Sequence, residues 1–117
     1  MAEASILIVD DHAGFRACAR LLLERERYRV VAEAGDGFSA VDQAREAAPE
    51  IAVVDVNLPD IDGFEVASRL AQLERPPAVV LISSHERSDF DALVPGSDAR
   101  GFVPKDELSR EAIEELL

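Results

Sequence analysis

Short runs of consecutive apolar residues alternate along this chain with longer amphipathic stretches. Unbroken apolar runs predict strands that are buried on both faces, as in a parallel sheet. Apolar residues spaced three and four positions apart predict helices that lay one face against such a sheet. The predicted strands are 5–9, 28–34, 51–54, 78–82 and 100–103.

Four of the longer stretches predict helices: 13–26, a stretch that follows the turn 35–37 and runs to about 47, 63–74, and a last helix that begins after Ser109, a residue type favoured as an N-cap. In the first of them Phe15, Cys18, Ala19 and Leu22 have helical spacing, so we expect these four, Cys18 included, to face the core. Between strands four and five, 88–94 can form a helix that the following Pro-Gly pair stops early. We therefore expect a short or irregular fourth helix.

Five strands alternating with helices predict an α/β fold, with a doubly wound parallel sheet covered on both sides. The 117 residues have room for one domain, 1–117, and an apolar share of 48% is enough for one core. No apolar run approaches the roughly 20 residues that span a bilayer. We expect a cytoplasmic protein without membrane contact.

The formal net charge of −12 argues against direct contact with DNA or RNA, whose phosphates require a basic surface. The single cysteine, Cys18, excludes an internal disulfide and any site built from several cysteines. With only two histidines as well, a bound metal should be a hard cation held by oxygen. Asp60 and Asp62 are expected to solvate the loop before the third helix.

Polar side chains follow the ends of four predicted strands. Asp10 and Asp11 follow the first strand, and Asp55 follows the third. Ser83 follows the fourth strand, and Lys105 comes shortly after the fifth. In open parallel sheets, ligands bind at the carboxyl ends of the strands, near the point where the strand order reverses. If the first and third strands are neighbours, three carboxylates converge on one small site.

Carboxylates that lie so close together repel one another unless a cation is present. Mg²⁺ fits best, because it accepts a few carboxylates, keeps several waters and is often completed by phosphate oxygens. A lysine and a hydroxyl nearby suit a phosphoryl group, and carboxylates are known nucleophiles that form aspartyl-phosphates. The pattern thus predicts phosphoryl transfer onto an aspartate, with catalysis supplied by the metal and by positioning.

Four segments of the chain closely resemble the response-regulator receiver family: 7–11 (LIVDD), 53–63 (VVDVNLPDIDG), 81–84 (LISS) and 101–105 (GFVPK). They occur in the family's order, and Ser83 follows Asp55 by 28 residues and precedes Lys105 by 22, which is typical of that family. The resemblance covers essentially the whole chain. It leans toward the subfamily that usually carries a helix-turn-helix output domain, and it implies a flavodoxin-like sheet with strand order 2-1-3-4-5.

By this resemblance Asp55 is the phosphoacceptor. Asp11, helped by Asp10, holds Mg²⁺, and the backbone carbonyl of Asn57 completes the protein ligands together with Asp55. The implied partners are a sensor histidine kinase or a phosphotransfer protein, and downstream a separate protein or an output domain that this chain lacks. Such a domain catalyses its own phosphorylation and hydrolysis but is a switch and not a turnover enzyme.

The resemblance also implies that Ser83 bonds a phosphoryl oxygen and that Lys105 pairs with the phosphoryl charge. Phe102 stands where the family has an aromatic switch, although an aromatic on a short strand is more often simple packing. His85 lies close enough to the site to modulate water access and dephosphorylation. His12 either caps or approaches the acidic site, or it has no role. The face formed by the fourth helix, the fifth strand and the last helix should change on phosphorylation.

Two alternative classes of function remain open at this point. The same fold can act as a phosphorylation-independent interaction module, an alternative motivated by Pro95 and Gly96 in the face that relays the signal. A phosphatase of the haloacid-dehalogenase type also uses an aspartate nucleophile, but that family places it after the first strand in a motif that residues 10–14 do not match. Neither a Gly-x-Gly-x-x-Gly nor a Walker-type loop indicates a nucleotide site.

Overall fold

The architecture is a five-stranded parallel sheet with helices on both faces, described in a computed structural model for residues 3–84 and 93–117. The strand order is β2-β1-β3-β4-β5. This order confirms the predicted fold class, and every strand lies within one or two residues of its predicted position. The strands are β1 (Ser5–Val9), β2 (Arg29–Ala34), β3 (Ile51–Asp55), β4 (Ala78–Ser83) and β5 (Gly101–Pro104).

The described helices are α1 (Ala13–Arg25), α2 (Gly37–Ala47), α3 (Gly63–Ala71) and α4 (Arg110–Leu116). Ser109 caps α4 as predicted, since its hydroxyl accepts a hydrogen bond from the backbone N–H of Ala112 at 3.0 Å. Most of the predicted fourth helix, 88–94, lies outside the described residues. In the described residues that come next, Val94–Gly96 form one 3₁₀ turn. This turn contains the Pro-Gly pair that was expected to stop the helix.

Alternate residues along the central strands divide the core into two layers. Leu7, Val9 and Val54 face α2 and α3 on one side of the sheet. On the other side, residues such as Ile8 and Val53 face α1 and α4. Because both faces are covered, β1 and β3 are buried along their whole length, and apart from Ser5 and Asp55 at their ends they are apolar, as their sequence predicted.

The buried side of α1 differs from the prediction. Ala19 and Leu23 are buried and Phe15 is partly buried, so the stripe follows i, i+4 and i+8. Cys18 is exposed, and Leu22 is 37% exposed, so the placement of these two residues in the core was wrong. The helix carries apolar residues on two of its sides, and contact with the sheet decides which of them is buried.

The start of α3 packs directly against the end of β3. The backbone N–H of Gly63 donates to the carbonyl of Val56 at 2.9 Å. A Cβ atom at position 63 would lie 2.6 Å from the carbonyl oxygen of Asp55, closer than side chains tolerate. Only glycine allows this approach, which fixes the loop between Asp55 and α3.

No helix among the described residues is long and apolar enough to cross a membrane.

Candidate functional site

The carboxyl ends of the strands bring the predicted residues to one edge of the sheet. Asp10 directly follows β1, Asp55 ends β3 and Ser83 ends β4, and all three are buried. Lys105 directly follows β5 and starts a short 3₁₀ turn. Since β1 and β3 are hydrogen-bonded neighbours, the expected convergence of carboxylates is confirmed.

The ammonium of Lys105 binds two buried carboxylates at once. Its Nζ lies 2.5 Å from Oδ2 of Asp10 and 3.2 Å from Oδ2 of Asp55. The same Nζ lies 4.6 Å from the centre of the Phe15 ring on α1, within the range of a cation–π contact. The lysine side chain is only 16% exposed, so it belongs to the site and is not an ordinary surface lysine.

Burial and neighbouring charge oppose one another in this cluster. Desolvation raises the pKa of Asp55, and the charge of Asp10 adds to the rise, while the Asn57 N–H and Lys105 counteract it. Desolvation lowers the pKa of Lys105, but the hydrogen-bonding and charge contributions of Asp10 and Asp55 outweigh it, so the net pKa is raised. The lysine therefore stays protonated, and the Asp55 carboxylate carries a free-energy cost that a cation would relieve.

Asp11 and His12 form the outer rim of the cluster. The Asp11 side chain is 36% exposed and that of His12 is 71% exposed. The ring Nδ1 of His12 lies 3.2 Å from Oδ1 of Asp10 and 3.1 Å from Oδ1 of Asp11. His12 thus approaches the acidic site, one of the alternatives its position left open. It is the N-cap residue of α1, but its side chain makes no capping hydrogen bond.

Asn57 and Ser83 adjoin Asp55 at the ends of β3 and β4, whereas Phe102 lies in the core on β5. The backbone N–H of Asn57 donates to Oδ1 of Asp55 at 3.0 Å, which orients the carboxylate. Ser83 is buried one residue beyond Ile82, the register partner of Asp55 in β4. Phe102 is 3% exposed and belongs to the core layer that faces α2 and α3. The candidate modulator His85 lies outside the described residues.

The two loop aspartates after β3 are exposed, as expected of residues that solvate the loop, and they have structural partners as well. Asp60 accepts hydrogen bonds from the backbone N–H groups of Gly37 at 2.8 Å and Phe38 at 2.9 Å. Burial opposes ionisation of Asp60, but these donors outweigh it and lower its pKa. Asp62 is the N-cap of α3 and accepts from the N–H of Glu65 at 2.8 Å. An Asp three residues before a Glu is a capping signal that the sequence displays; the contact of Asp60 with α2 has no such local signal.

Two residues of α1 support the site without having been predicted to do so. The guanidinium of Arg16 donates to the backbone carbonyl of Asp10 and also contacts Glu33, which holds the end of β1 in place. Phe15 lies against the Lys105 ammonium. Neither contact follows from spacing, since each joins the helix to a strand end that only the fold brings near.

The cluster fits a divalent cation in charge and in donor type. Asp10, Asp11, His12 and Asp55 each offer one donor atom, and these atoms all lie within 4.8 Å of one another. Three carboxylates and one ammonium leave two negative charges, which one divalent ion would balance. Two of the carboxylates are buried and one faces the solvent, so the site is open on one side, as Mg²⁺ requires for its retained waters.

Comparison with known proteins agrees with this geometry. The family model of the response regulator receiver domain matches residues 6–117. A transcriptional regulator of Pseudomonas aeruginosa is 38% identical over 114 residues, which are 97% of this chain and 53% of the regulator. The virulence regulator BvgA of Bordetella pertussis is 37% identical over 108 residues, 92% of this chain and 52% of BvgA. The chain therefore spans about half the length of these relatives.

A solved structure extends the match to three dimensions. The signal receiver domain of the response regulator NarL from Mycobacterium tuberculosis superposes with a TM-score of 0.86 at 29% identity, covering 99% of this chain and 98% of that one. The match spans the whole sheet and so includes the strand ends that carry the acidic cluster. This chain belongs to the response regulator receiver domain family of two-component signalling.

Proposed function

We propose that this domain accepts a phosphoryl group on Asp55 in an Mg²⁺-dependent reaction and changes its surface in response. The observation that carries the proposal is the Lys105 ammonium, held between the buried carboxylates of Asp10 and Asp55 at the ends of three strands. A lysine fixed there is placed to follow any new negative charge on Asp55. Receiver domains are regulatory, and this one catalyses only its own phosphorylation and hydrolysis.

Asp55 acts as the nucleophile. A carboxylate oxygen of Asp55 attacks phosphorus, an O–P bond forms, and the bond from phosphorus to the donor breaks with its electrons leaving on the donor. The Asn57 N–H holds Oδ1 of Asp55 in place during this step. The reaction replaces the carboxylate charge of Asp55 with a more negative phosphoryl group, whose charge Lys105 and a bound cation would balance.

Mg²⁺, when bound, neutralises the phosphoryl oxygens and the carboxylates together. Asp10, Asp11 and Asp55 would hold it, completed by the backbone carbonyl of Asn57. Lys105 would exchange one of its carboxylate contacts for a phosphoryl oxygen, and the Ser83 hydroxyl would donate to another. Burial of Asp10 and Ser83 limits the water that reaches the phosphoryl group.

The signal would leave the site through β4 and β5. Ser83 ends β4 and Lys105 follows β5, so movement of either side chain acts on the segment after β4, on β5 and on α4. Phe102, three residues before Lys105 on β5, is the proposed aromatic switch. His85 is the proposed modulator of phosphoryl lifetime. A switch of this kind needs two arrangements of the same element, biased by the phosphoryl group.

The proposed partners follow from this chemistry and from the length of the relatives. A sensor histidine kinase or a phosphotransfer protein in the cytoplasm would supply the phosphoryl group. The relatives are described as transcriptional regulators and are about twice as long as this chain. That length supports an output domain that takes up the signal, and a separate downstream protein is the alternative. We expect this chain itself to make no contact with DNA, given its net charge of −12.

The test is phosphorylation by acetyl phosphate, read by intact mass. Wild type with Mg²⁺ should gain one phosphoryl adduct, and the adduct should be lost with EDTA and in Asp55→Asn. The matched control is Asp42→Asn, which changes an exposed aspartate on α2 and should leave the adduct unchanged. Beryllofluoride, a stable phosphoryl mimic, checks for rapid hydrolysis. If the protein forms no adduct and also binds no beryllofluoride, that result would favour the phosphorylation-independent interaction module.

A further inference from the structure

His12 brings a nitrogen atom to a site that is otherwise built from oxygens. Its Nδ1 lies 3.2 Å from Oδ1 of Asp10 and 3.1 Å from Oδ1 of Asp11. Its backbone is fixed beside the cluster, because its N–H donates to Oδ1 of Asp10 at 2.8 Å. The ring is open to the solvent, since the side chain is 71% exposed. A cation entering the site would therefore meet the imidazole at the rim.

The spacing of these atoms suits neighbouring ligands of one metal ion. Bonds of about 2.1 Å at right angles, as in octahedral coordination, place adjacent ligand atoms about 3 Å apart. Both nitrogen–oxygen distances are close to that separation. The donor atoms of Asp10, Asp11, His12 and Asp55 all lie within 4.8 Å of one another, so one ion can touch them together.

We infer that His12 Nδ1 is a metal ligand, which gives this site a higher affinity for borderline divalent cations such as Co²⁺ than its oxygen ligands alone would give. Imidazole suits transition metals, whereas carboxylates and waters suit Mg²⁺. Mg²⁺ can bind with the ring displaced and a water in its place. The inference rests on the proposed function, because it uses the same acidic site.

A hydrogen bond between the imidazole and the carboxylates produces similar distances, so the experiment must separate the two roles. Untagged protein is titrated with Co²⁺ and, separately, with Mg²⁺ by calorimetry, for wild type, His12→Ala and His12→Asn. Asparagine keeps a polar side chain beside Asp10 and is favoured at a helix N-cap, but it supplies no imidazole nitrogen. Asp42→Asn, which changes an exposed aspartate on α2 away from the site, serves as the control.

Both His12 variants should weaken Co²⁺ binding by about tenfold or more, the size typical for loss of a metal-site partner. Their Mg²⁺ affinity should change far less. Proton NMR of the Co²⁺-loaded wild type should show one strongly shifted set of imidazole C–H resonances, which persists in Asp42→Asn and is missing from His12→Asn.

Two results would overturn the inference: equal losses of Co²⁺ and Mg²⁺ affinity in the variants, or full Co²⁺ affinity in His12→Asn. Either result would leave Mg²⁺-dependent phosphorylation of Asp55 intact, so it would count against His12 alone. Failure of the proposed function would instead show as wild type that binds neither Mg²⁺ nor a phosphoryl group.

Discussion

The Nζ of Lys105 lies 2.5 Å from Oδ2 of Asp10, although β3 and β4 separate their two strands in the sheet. The lysine side chain thus crosses the carboxyl ends of both intervening strands and passes Asp55 on the way. One cation serves two buried carboxylates, and Phe15 contacts it as well. Any change of charge at Asp55 therefore redistributes the contacts of an atom that connects β5 to β1.

Replacing Asp55 with asparagine should stabilise the metal-free protein at neutral pH. Desolvation, together with the charge of Asp10, raises the pKa of Asp55 in the folded state. The folded protein then binds this proton more tightly than the unfolded chain does. The stability due to protonation is complete below the unfolded pKa and is lost as the pH rises through the folded pKa.

The stabilisation in Asp55→Asn should accordingly be small near the ordinary carboxyl pKa of about 4 and grow to a plateau at neutral pH. Urea unfolding of both proteins in EDTA across this pH range measures it. Asp42→Asn is the control, because that side chain is 77% exposed. A loss of stability at neutral pH, or a gain that does not change with pH, would contradict the conclusion that burying the ionised Asp55 carboxylate costs stability.

Gly63→Ala should destabilise the domain by about 3 kcal/mol, the upper part of the range for overpacking. The added methyl would lie 2.6 Å from the carbonyl oxygen of Asp55 and 2.9 Å from Cα of Val56, and backbone atoms move only at high cost. Gly14→Ala is the control, since its added methyl has no atom within 4 Å apart from its chain neighbours and the backbone of its own helix, and alanine favours the helix. Chemical denaturation compares the two, and equal stabilities would show that the loop after β3 yields easily.

Asp60→Ala should lower the free energy of unfolding by about 1 kcal/mol, the usual effect of losing a helix cap. The variant leaves the N–H groups of Gly37 and Phe38 without their acceptor. Because the folded pKa of Asp60 is lowered, its contribution is present above the unfolded pKa and is lost as the pH falls through the folded pKa. Asp42→Ala on the same helix should cost much less. If the two variants unfold at the same urea concentration, the contact does not stabilise the fold.

Leu23→Ala should cost about 2–5 kcal/mol, because Leu23 is fully buried between α1 and the sheet. Leu21→Ala, two residues earlier, should stay within about 0.5 kcal/mol, since Leu21 is 62% exposed. Urea unfolding of both variants measures the contrast.

A thiol reagent should modify Cys18 in the folded protein, because this side chain is exposed on α1. Protection of the thiol from the reagent would instead show that Cys18 faces the core, as its spacing in the sequence predicted.

The sequence by itself determined the fold class, the strand positions and the polar residues at the strand ends. A strand buried on both faces must be apolar throughout, so β1, β3 and β4 are visible without any partner. A carboxylate that ends such a run has no structural reason to be there, which made Asp10 and Asp55 candidates. Their meeting then needed only that β1 and β3 be neighbours.

The tertiary structure decided what depends on contacts between distant segments. Two apolar stripes on α1 are equivalent by period, and only packing against the sheet buries Leu23 and exposes Cys18. Asp60 caps a helix that begins 23 residues earlier, and Lys105 reaches across two strands to Asp10. Local patterns carry no record of such pairings, because a side chain's partner depends on where the sheet order places it.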